Sequence, residues 1–112
     1  LQEKRNRIVD RTYYFMIYHI TTKEEIDKSL ISGSLSAPSL QTEGFIHTCE
    51  KEQIQGVIDR YYAGHTGLFL LHIDETKLSA MVKYELAPSV NEMFPHIFGV
   101  INKDAVVKVE EL

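Results

Sequence analysis

The sequence predicts a single α+β domain with two main helices and a mixed or largely antiparallel sheet of about six strands. Two segments in the first half of the chain have apolar residues at helical spacing. Short runs of aromatic and β-branched residues, typical of strands, dominate the second half. With 112 residues, 44% of them hydrophobic and 25% charged, the chain has the composition of a globular domain with its own core.

The first elements are a strand and a helix. Residues 1–12 are charged and predict a flexible N-terminal extension, so the domain occupies residues 13–112. Residues 13–20 predict a strand that places Ile17 and His19 on one face and Tyr18 on the other. A capping box at residues 22–25 then opens a helix.

The first helix is followed by an irregular segment, a short strand and then the second helix. Ile26, Leu30 and Ile31 recur at helical spacing, and Gly33 is a typical stop. Residues 34–42 predict an irregular edge strand or loop, because Pro38 cannot donate to a strand ladder. Residues 45–48 predict a short strand. The second helix follows, with its periodic residues at Ile54, Val57, Ile58, Tyr61 and Tyr62 and its end at Gly64.

The remaining elements are strands. Residues 67–74 are almost continuously apolar and predict a central strand covered on both faces. Residues 80–86 alternate, with Glu85 on the polar face. Residues 96–101 and 105–109 predict two further strands joined by a turn, and Pro95 fixes the entry to the first of them.

Charge and cysteine content limit the function classes. The net charge of −4, with 16 acidic against 12 basic residues, argues against binding to nucleic acid, which needs several Lys or Arg side chains for the phosphates. The single cysteine, Cys49, excludes an internal disulfide and a multi-cysteine zinc site. We therefore expect a cytoplasmic protein that does not bind nucleic acid, and no apolar run approaches the length of a membrane span.

Three histidines, His19, His47 and His96, lie at predicted strand ends or starts, where strands of one sheet can bring them to one cleft. Residues 43–53 are the organising stretch, since they bring His47 directly to the start of a helix with free N–H groups. Taken singly, each of these histidines is also explained as a hydrogen-bonded structural residue. His65 and His72 keep that explanation.

Several chemical alternatives stay open on the residues alone. A metal site could use three histidines, or two with Glu85, although no close metal-binding spacing is present. Cys49 is a candidate nucleophile beside His47, but two neighbouring glutamates oppose a thiolate and a helix-capping role also explains it. Glu85 is either a solvated surface residue or a cleft carboxylate, and the aromatic residues at 94–99 could form a wall of a ligand pocket.

Several ordered motifs resemble a known bacterial family, catalogued as domain of unknown function 952. They span about residues 16 to 110. The motifs are Tyr18-His19-Ile20-Thr21, Ala37-Pro38-Ser39-Leu40, Glu43-Gly44-Phe45-Ile46-His47, Gln53, Tyr84-Glu85 and Phe94-Pro95-His96-Ile97-Phe98-Gly99.

The resemblance also implies an ADP-ribosyltransferase-like fold, shared with NAD-dependent toxins and RNA 2′-phosphotransferases. In that superfamily a first-strand histidine contacts the NAD ribose and a later strand supplies a glutamate, which His19 and Glu85 match. The chain lacks the phosphate-binding arginines of the RNA enzymes.

We therefore predict an ADP-ribosyltransferase-like enzyme or NAD-type nucleotide binder with a cleft lined by histidine and glutamate. The catalytic assignments are Glu85, His47 and His96; those for ligand binding are His19, Thr48, Gln53 and Phe98; no residue is assigned to a metal. The alternatives are a non-catalytic module that binds a small molecule or partner, and a metal-dependent hydrolase using the histidines.

Overall fold

A computed structural model describes residues 15–112, which fold into eight strands and three α-helices. The predicted N-terminal extension and the first residues of the predicted first strand lie outside the described residues. The strands are β1 (Met16–Thr22), β2 (Ser34–Leu35), β3 (Ile46–His47), β4 (Leu68–Asp74), β5 (Met81–Ala87), β6 (Glu92–Phe98), β7 (Ile101–Asn102) and β8 (Val106–Glu111). The helices are α1 (Lys23–Ser32), α2 (Pro38–Thr42) and α3 (Ile54–Tyr61), and three short 3₁₀ turns cover Lys51–Gln53, Glu75–Lys77 and Lys103–Ala105.

All strand pairs of the described residues are antiparallel, which agrees with the predicted α+β class. One sheet has the order β1-β4-β8, so β4 is central as its apolar sequence predicts. The alternation predicted for β1 is also confirmed. Ile17 packs into one core cluster, while Tyr18 and Ile20 pack into a second cluster that α3 covers.

A second sheet, of order β3-β6-β5, carries the residues of the later motifs. Strand β6 begins at Glu92, so Pro95 lies inside a strand and the prediction that it fixes the strand entry is wrong. The N–H and C=O of a residue point to the same edge of a strand. Pro95 is tolerated because the N–H that it lacks would face an edge with no strand partner at this position. On that edge β3 has ended, and the Pro95 carbonyl instead accepts bonds from the N–H and hydroxyl of Thr48.

The first helix begins where the capping box predicts. Thr22 Oγ1 accepts a bond from the Glu25 N–H, and Gly33 ends the helix with a φ of 91° that favours glycine. Only Ile26 of its periodic residues packs against the core. Leu30 and Ile31 are 72% and 91% exposed, so helical spacing overstated this helix's apolar face.

Two connections differ from the prediction. Residues 34–42 are not simply an edge strand or loop, because Pro38 opens the short helix α2, where a missing N–H has no cost. The predicted turn at residues 102–104 does not join two paired strands: β7 pairs with β2 and β8 pairs with β4.

Candidate functional site

A cleft of about 680 Å³ lies where the two larger sheets approach each other. Its walls come from β1, the first turn of α1, the start of α2, β3 and the loop after it, α3, and the β5–β6 hairpin. Of the seven residues assigned from sequence, His19, His47, Thr48 and His96 line this cleft, whereas Glu85, Gln53 and Phe98 do not.

His19 is the most constrained polar side chain of the cleft. Its backbone belongs to β1, and the ring is only 6% exposed. Its Nδ1 lies 2.7 Å from the backbone carbonyl oxygen of His47. A carbonyl oxygen can only accept, so Nδ1 carries the proton and the Nε2 of the neutral ring is an acceptor.

That Nε2 atom is buried and has no hydrogen-bond partner among residues 15–112. Burial lowers the pKa of His19 below 6.5, against smaller raising effects from the bond to His47 and from the Glu25 carboxylate. The ring is therefore neutral at pH 7. A buried acceptor without a partner costs about 1–3 kcal/mol, so His19 gains from any donor that reaches it.

His96 is held by a carboxylate behind it. Its Nδ1 lies 2.7 Å from Glu85 Oε1, across the paired strands β5 and β6. The ring stacks on Phe45 with centroids 4.0 Å apart and planes 18° apart. Donation from Nδ1 to a carboxylate leaves Nε2 as the free nitrogen, on a ring that lines the cleft.

Glu85 consequently has a different place from the one that the superfamily resemblance implies. Its carboxylate binds the His96 ring and does not line the cleft. A direct bond from Glu85 to a ligand hydroxyl has no support in this geometry. The catalytic role of Glu85 stays a prediction, and in this geometry its carboxylate orients His96.

His47 lies at the more exposed side of the same group. Its Nε2 is 3.1 Å from Glu43 Oε2, and its ring meets the rings of Phe45 and His96 edge-on. Its backbone carbonyl is the acceptor that fixes His19. His47 therefore contacts His19 through its backbone carbonyl and His96 through its ring.

The other assigned residues are engaged in the fold. The buried Thr48 hydroxyl donates to the Pro95 carbonyl at 2.5 Å. Gln53 accepts from the Glu50 N–H and donates to Glu92 and to the Met93 carbonyl. Phe98 packs against Phe45 on the far side of the His96 stack. The ligand-binding roles of Gln53 and Phe98 stay predictions, with both residues outside the cleft.

Cys49 has neither of the roles weighed for it. The residue that caps the turn at 51–53 is Glu50, which forms a capping box with Gln53. The Cys49 backbone instead exchanges two 2.8 Å bonds with Tyr18, and its side chain is buried. Burial, with a smaller effect of Glu52, raises the pKa of the thiol to about 12, so no thiolate forms near neutral pH.

Sequence reasoning missed several cleft residues because each had a local explanation. Glu25 belongs to the capping box, and Tyr61 and Tyr62 fit the apolar period of the helix, yet all three line the cleft. None of the described residues of the lining is a Lys or an Arg. One sequence signal could have suggested Glu25. This capping-box residue follows directly after the strand that carries His19, so its carboxylate can lie near that histidine.

Two further classes of site were searched for. Within residues 15–112, no group of three or more His, Cys, Asp or Glu side chains is arranged to hold a metal ion, so the hydrolase hypothesis gains no support from their geometry. The described helices include none with the length and hydropathy needed to cross a membrane.

Comparison with known proteins gives a family and a fold. The family model described as "Protein of unknown function (DUF952)" matches residues 20–109. The crystal structure of protein CC0527 from Caulobacter crescentus is similar, with a TM-score of 0.78, 26% identity, and coverage of 87% of this chain and 85% of that chain. The solution structure of CC0527 gives a TM-score of 0.74, 25% identity, and coverage of 88% and 84%. The search of curated proteins found no match.

Proposed function

This chain belongs to the DUF952 family, and we propose that it binds a small organic molecule in the His19 cleft, through a hydrogen-bond donor of that molecule. The supporting observation is the buried, partnerless Nε2 of His19, on a ring that lines a cleft of about 680 Å³. Apolar walls with a few convergent polar groups are the usual form of a small-ligand site. The volume suits a ligand of drug or nucleoside size.

Preorganisation supports this proposal. The His19 ring cannot rotate without losing its bond to the His47 carbonyl, and its tautomer is set by that bond. The ring therefore presents a lone pair and rejects groups that can only accept. Because Nε2 has no accessible surface in this conformation, a neighbouring side chain has to move when the donor binds.

A titration with simple probes tests the proposal. Benzyl alcohol, benzylamine and adenosine each offer a donor on an aromatic body, and NMR amide shifts report where they bind. We expect shifts at His19, Thr48 and His96, and a change in the ¹⁵N shift of His19 Nε2. His19→Phe should weaken binding by about tenfold through loss of the acceptor. His65→Phe, in the loop outside the cleft, is the matched control and should leave binding unchanged.

Fold integrity has to be checked in the same experiment. His19→Gln can still donate to the His47 carbonyl, and so it serves as a second variant if His19→Phe does not fold. Absence of cleft shifts with every probe at millimolar concentration would contradict the proposed function.

An ADP-ribosyltransferase-like enzyme that uses NAD is the second candidate. Two features favour it: His19 lies on the first strand, as the resemblance implies, and the oriented His96 presents a free Nε2 in the same cleft for proton transfer. In such an enzyme His19 would accept from a ribose hydroxyl, and His96 rather than Glu85 would face the ligand. Within residues 15–112 the lining offers no Lys or Arg to balance a diphosphate, which is the feature that opposes NAD.

Chromatography of NAD incubated with the protein tests this second candidate. We expect slow release of nicotinamide that His19→Phe and His96→Gln both abolish, while His65→Phe releases nicotinamide at the normal rate. Equal nicotinamide release with and without the protein would refute the candidate and leave the binding proposal intact.

A further inference from the structure

The charge of the cleft lining is unusual for a site that would bind a nucleotide. Among the described residues, the lining side chains with a fixed charge are Glu24 and Glu25, from the first turn of α1. Glu25 is the more enclosed of the two, with an 18% exposed side chain against 78% for Glu24. The Glu25 carboxylate also acts electrostatically on His19, where it opposes the lowering of the pKa by burial.

The neighbouring cations only partly balance these carboxylates. Lys28 Nζ lies 3.4 Å from Glu25 and 3.8 Å from Glu24, but its side chain is 62% exposed, so solvent screens it. Lys23 pairs with Asp27, which does not line the cleft. Within the described residues the fixed charges that line the cleft are therefore both negative, and Arg60, which lies outside the lining, pairs with Glu92.

Aromatic rings complete the same wall. Tyr18, Tyr61, Tyr62 and Phe94 all line the cleft, and aromatic faces attract cations. The Arg60 guanidinium already lies 5.7 Å from the centroid of the Tyr61 ring. That contact gives a cation–aromatic pair at the edge of the cleft.

Hydrogen-bond polarity points to the same ligand chemistry. His19 Nε2 and the Glu25 carboxylate can only accept, so the ligand has to supply donors at this end. An ammonium group supplies up to three donors and no acceptor. A carboxylate or phosphate has the opposite polarity and would meet a lone pair and two like charges.

We propose that the ligand of this cleft is an organic cation, a protonated primary or secondary amine on an aromatic or aliphatic body. Its N–H group donates to His19 Nε2, and Glu25 balances its charge while the tyrosine rings enclose its body. The inference rests on the proposed binding function and adds the charge class of the ligand.

Three probes of nearly equal shape and different charge test it. Benzylammonium, benzyl alcohol and benzoate carry +1, 0 and −1, and each is titrated into the ¹⁵N-labelled protein at pH 7 and low salt. We expect benzylammonium to bind about three- to tenfold more tightly than benzyl alcohol, with shifts at His19, Thr22 and Glu25, and benzoate to bind most weakly.

Charge variants on α1 locate the effect. Glu25→Gln keeps the backbone N–H that Thr22 caps, so the helix start survives, and it should remove the preference for benzylammonium over benzyl alcohol. Lys28→Gln removes the competing cation and should strengthen benzylammonium binding. Asp27→Asn is the matched control, because this carboxylate lies on the same helix outside the cleft.

The outcomes separate the two proposals. Benzyl alcohol or benzoate binding in the cleft as tightly as benzylammonium would overturn the inference and leave the binding function standing. A benzylammonium preference that Asp27→Asn lowers as much as Glu25→Gln does would also overturn it. Absence of cleft shifts with all three probes would overturn the binding function and the inference with it.

Discussion

His19 and His96 line the same cleft, yet the fold prepares them in opposite ways. Burial lowers the pKa of His19 and keeps its ring neutral, while Nδ1 donates to a backbone carbonyl. His96 donates through the same nitrogen to the Glu85 carboxylate. One ring is therefore enclosed and oriented by a carbonyl, and the other is oriented by a carboxylate.

The difference shows how one residue type takes two roles in one site. Both rings use Nδ1 for orientation and leave Nε2 available, so geometry alone does not distinguish them. Their surroundings do. Burial lowers the pKa of His19, against a raising effect of the bond to the His47 carbonyl, whereas the acceptor of the His96 Nδ1–H is a carboxylate.

The largest effect predicted from this difference between His19 and His96 is a pH dependence of stability. Burial holds the folded-state pKa of His19 below 6.5, so between 6.5 and that lower value the unfolded chain binds a proton that the folded chain does not. Stability is then fully present above 6.5 and falls as the pH decreases, by at most about 1.4 kcal/mol per pH unit for this one group. Urea unfolding between pH 7.5 and 5 should show this loss, and His19→Gln should reduce it.

Other histidines contribute to the same pH profile, so the result is read as a difference. His65→Gln, a change in the exposed loop after α3, should leave the wild-type slope in place. Identical slopes for wild type and His19→Gln would mean that His19 is not held neutral by burial, and the contrast with His96 would fail.

The hydrogen bond between the segments that carry His47 and His96 predicts a stability effect of intermediate size. Thr48 follows His47, and its buried hydroxyl donates to the carbonyl of Pro95, directly before His96. Thr48→Val keeps the shape, removes this bond, and should lower the free energy of unfolding by about 1 kcal/mol. Urea unfolding at pH 7 measures the loss, and shifted His96 ring signals should accompany it.

Thr21→Val is the matched control for that change. Thr21 is also buried beside the cleft, but its hydroxyl has no hydrogen-bond partner among the described residues. The control should be nearly neutral in stability. Equal losses in the two variants would show that the Thr48 hydroxyl does not hold His47 and His96 together.

Local patterns predicted those parts of the fold that depend on neighbouring residues. The alternation of β1, the cap at Thr22 and the central position of β4 all follow from residues within a few positions of each other. The start of β6 does not, because Pro95 is allowed inside that strand only where the distant β3 has ended. Leu30 shows the same limit, since spacing cannot reveal whether another element covers a helix face.

The members of the cleft were only partly predictable, and the contacts of each ring were not. His19, His47 and His96 do line one cleft, but the strand-end positions predicted for His19 and His96 are wrong, because His19 lies in the middle of β1 and His96 lies inside β6. The state of each ring depends on contacts between residues far apart in sequence, such as His19 with the His47 carbonyl, 28 positions away. Glu85 illustrates the consequence, because its polar strand face was recognised while its partner, His96, was not.

The smallest expected effect concerns the two histidine–carboxylate pairs whose histidines line the cleft, His96–Glu85 and His47–Glu43. Glu85→Gln replaces the carboxylate behind His96 by an amide that can accept or donate, so the neutral ring loses its fixed Nδ1–H tautomer. Glu85 is 43% exposed, which keeps the loss of stability below about 1 kcal/mol. Histidine-ring ¹⁵N NMR should show a single Nδ1–H tautomer of neutral His96 in the wild type and a mixture in the variant.

Glu43→Gln is the matched control for Glu85→Gln. The Glu43–His47 pair is longer, at 3.1 Å, and more exposed on both sides, so its removal should change stability by only a few tenths of a kcal/mol. His96 should keep its tautomer in Glu43→Gln. If both variants disturb the His96 tautomer equally, orientation of His96 by Glu85 alone is refuted, and the contact with the His47 ring at 5.4 Å contributes as well.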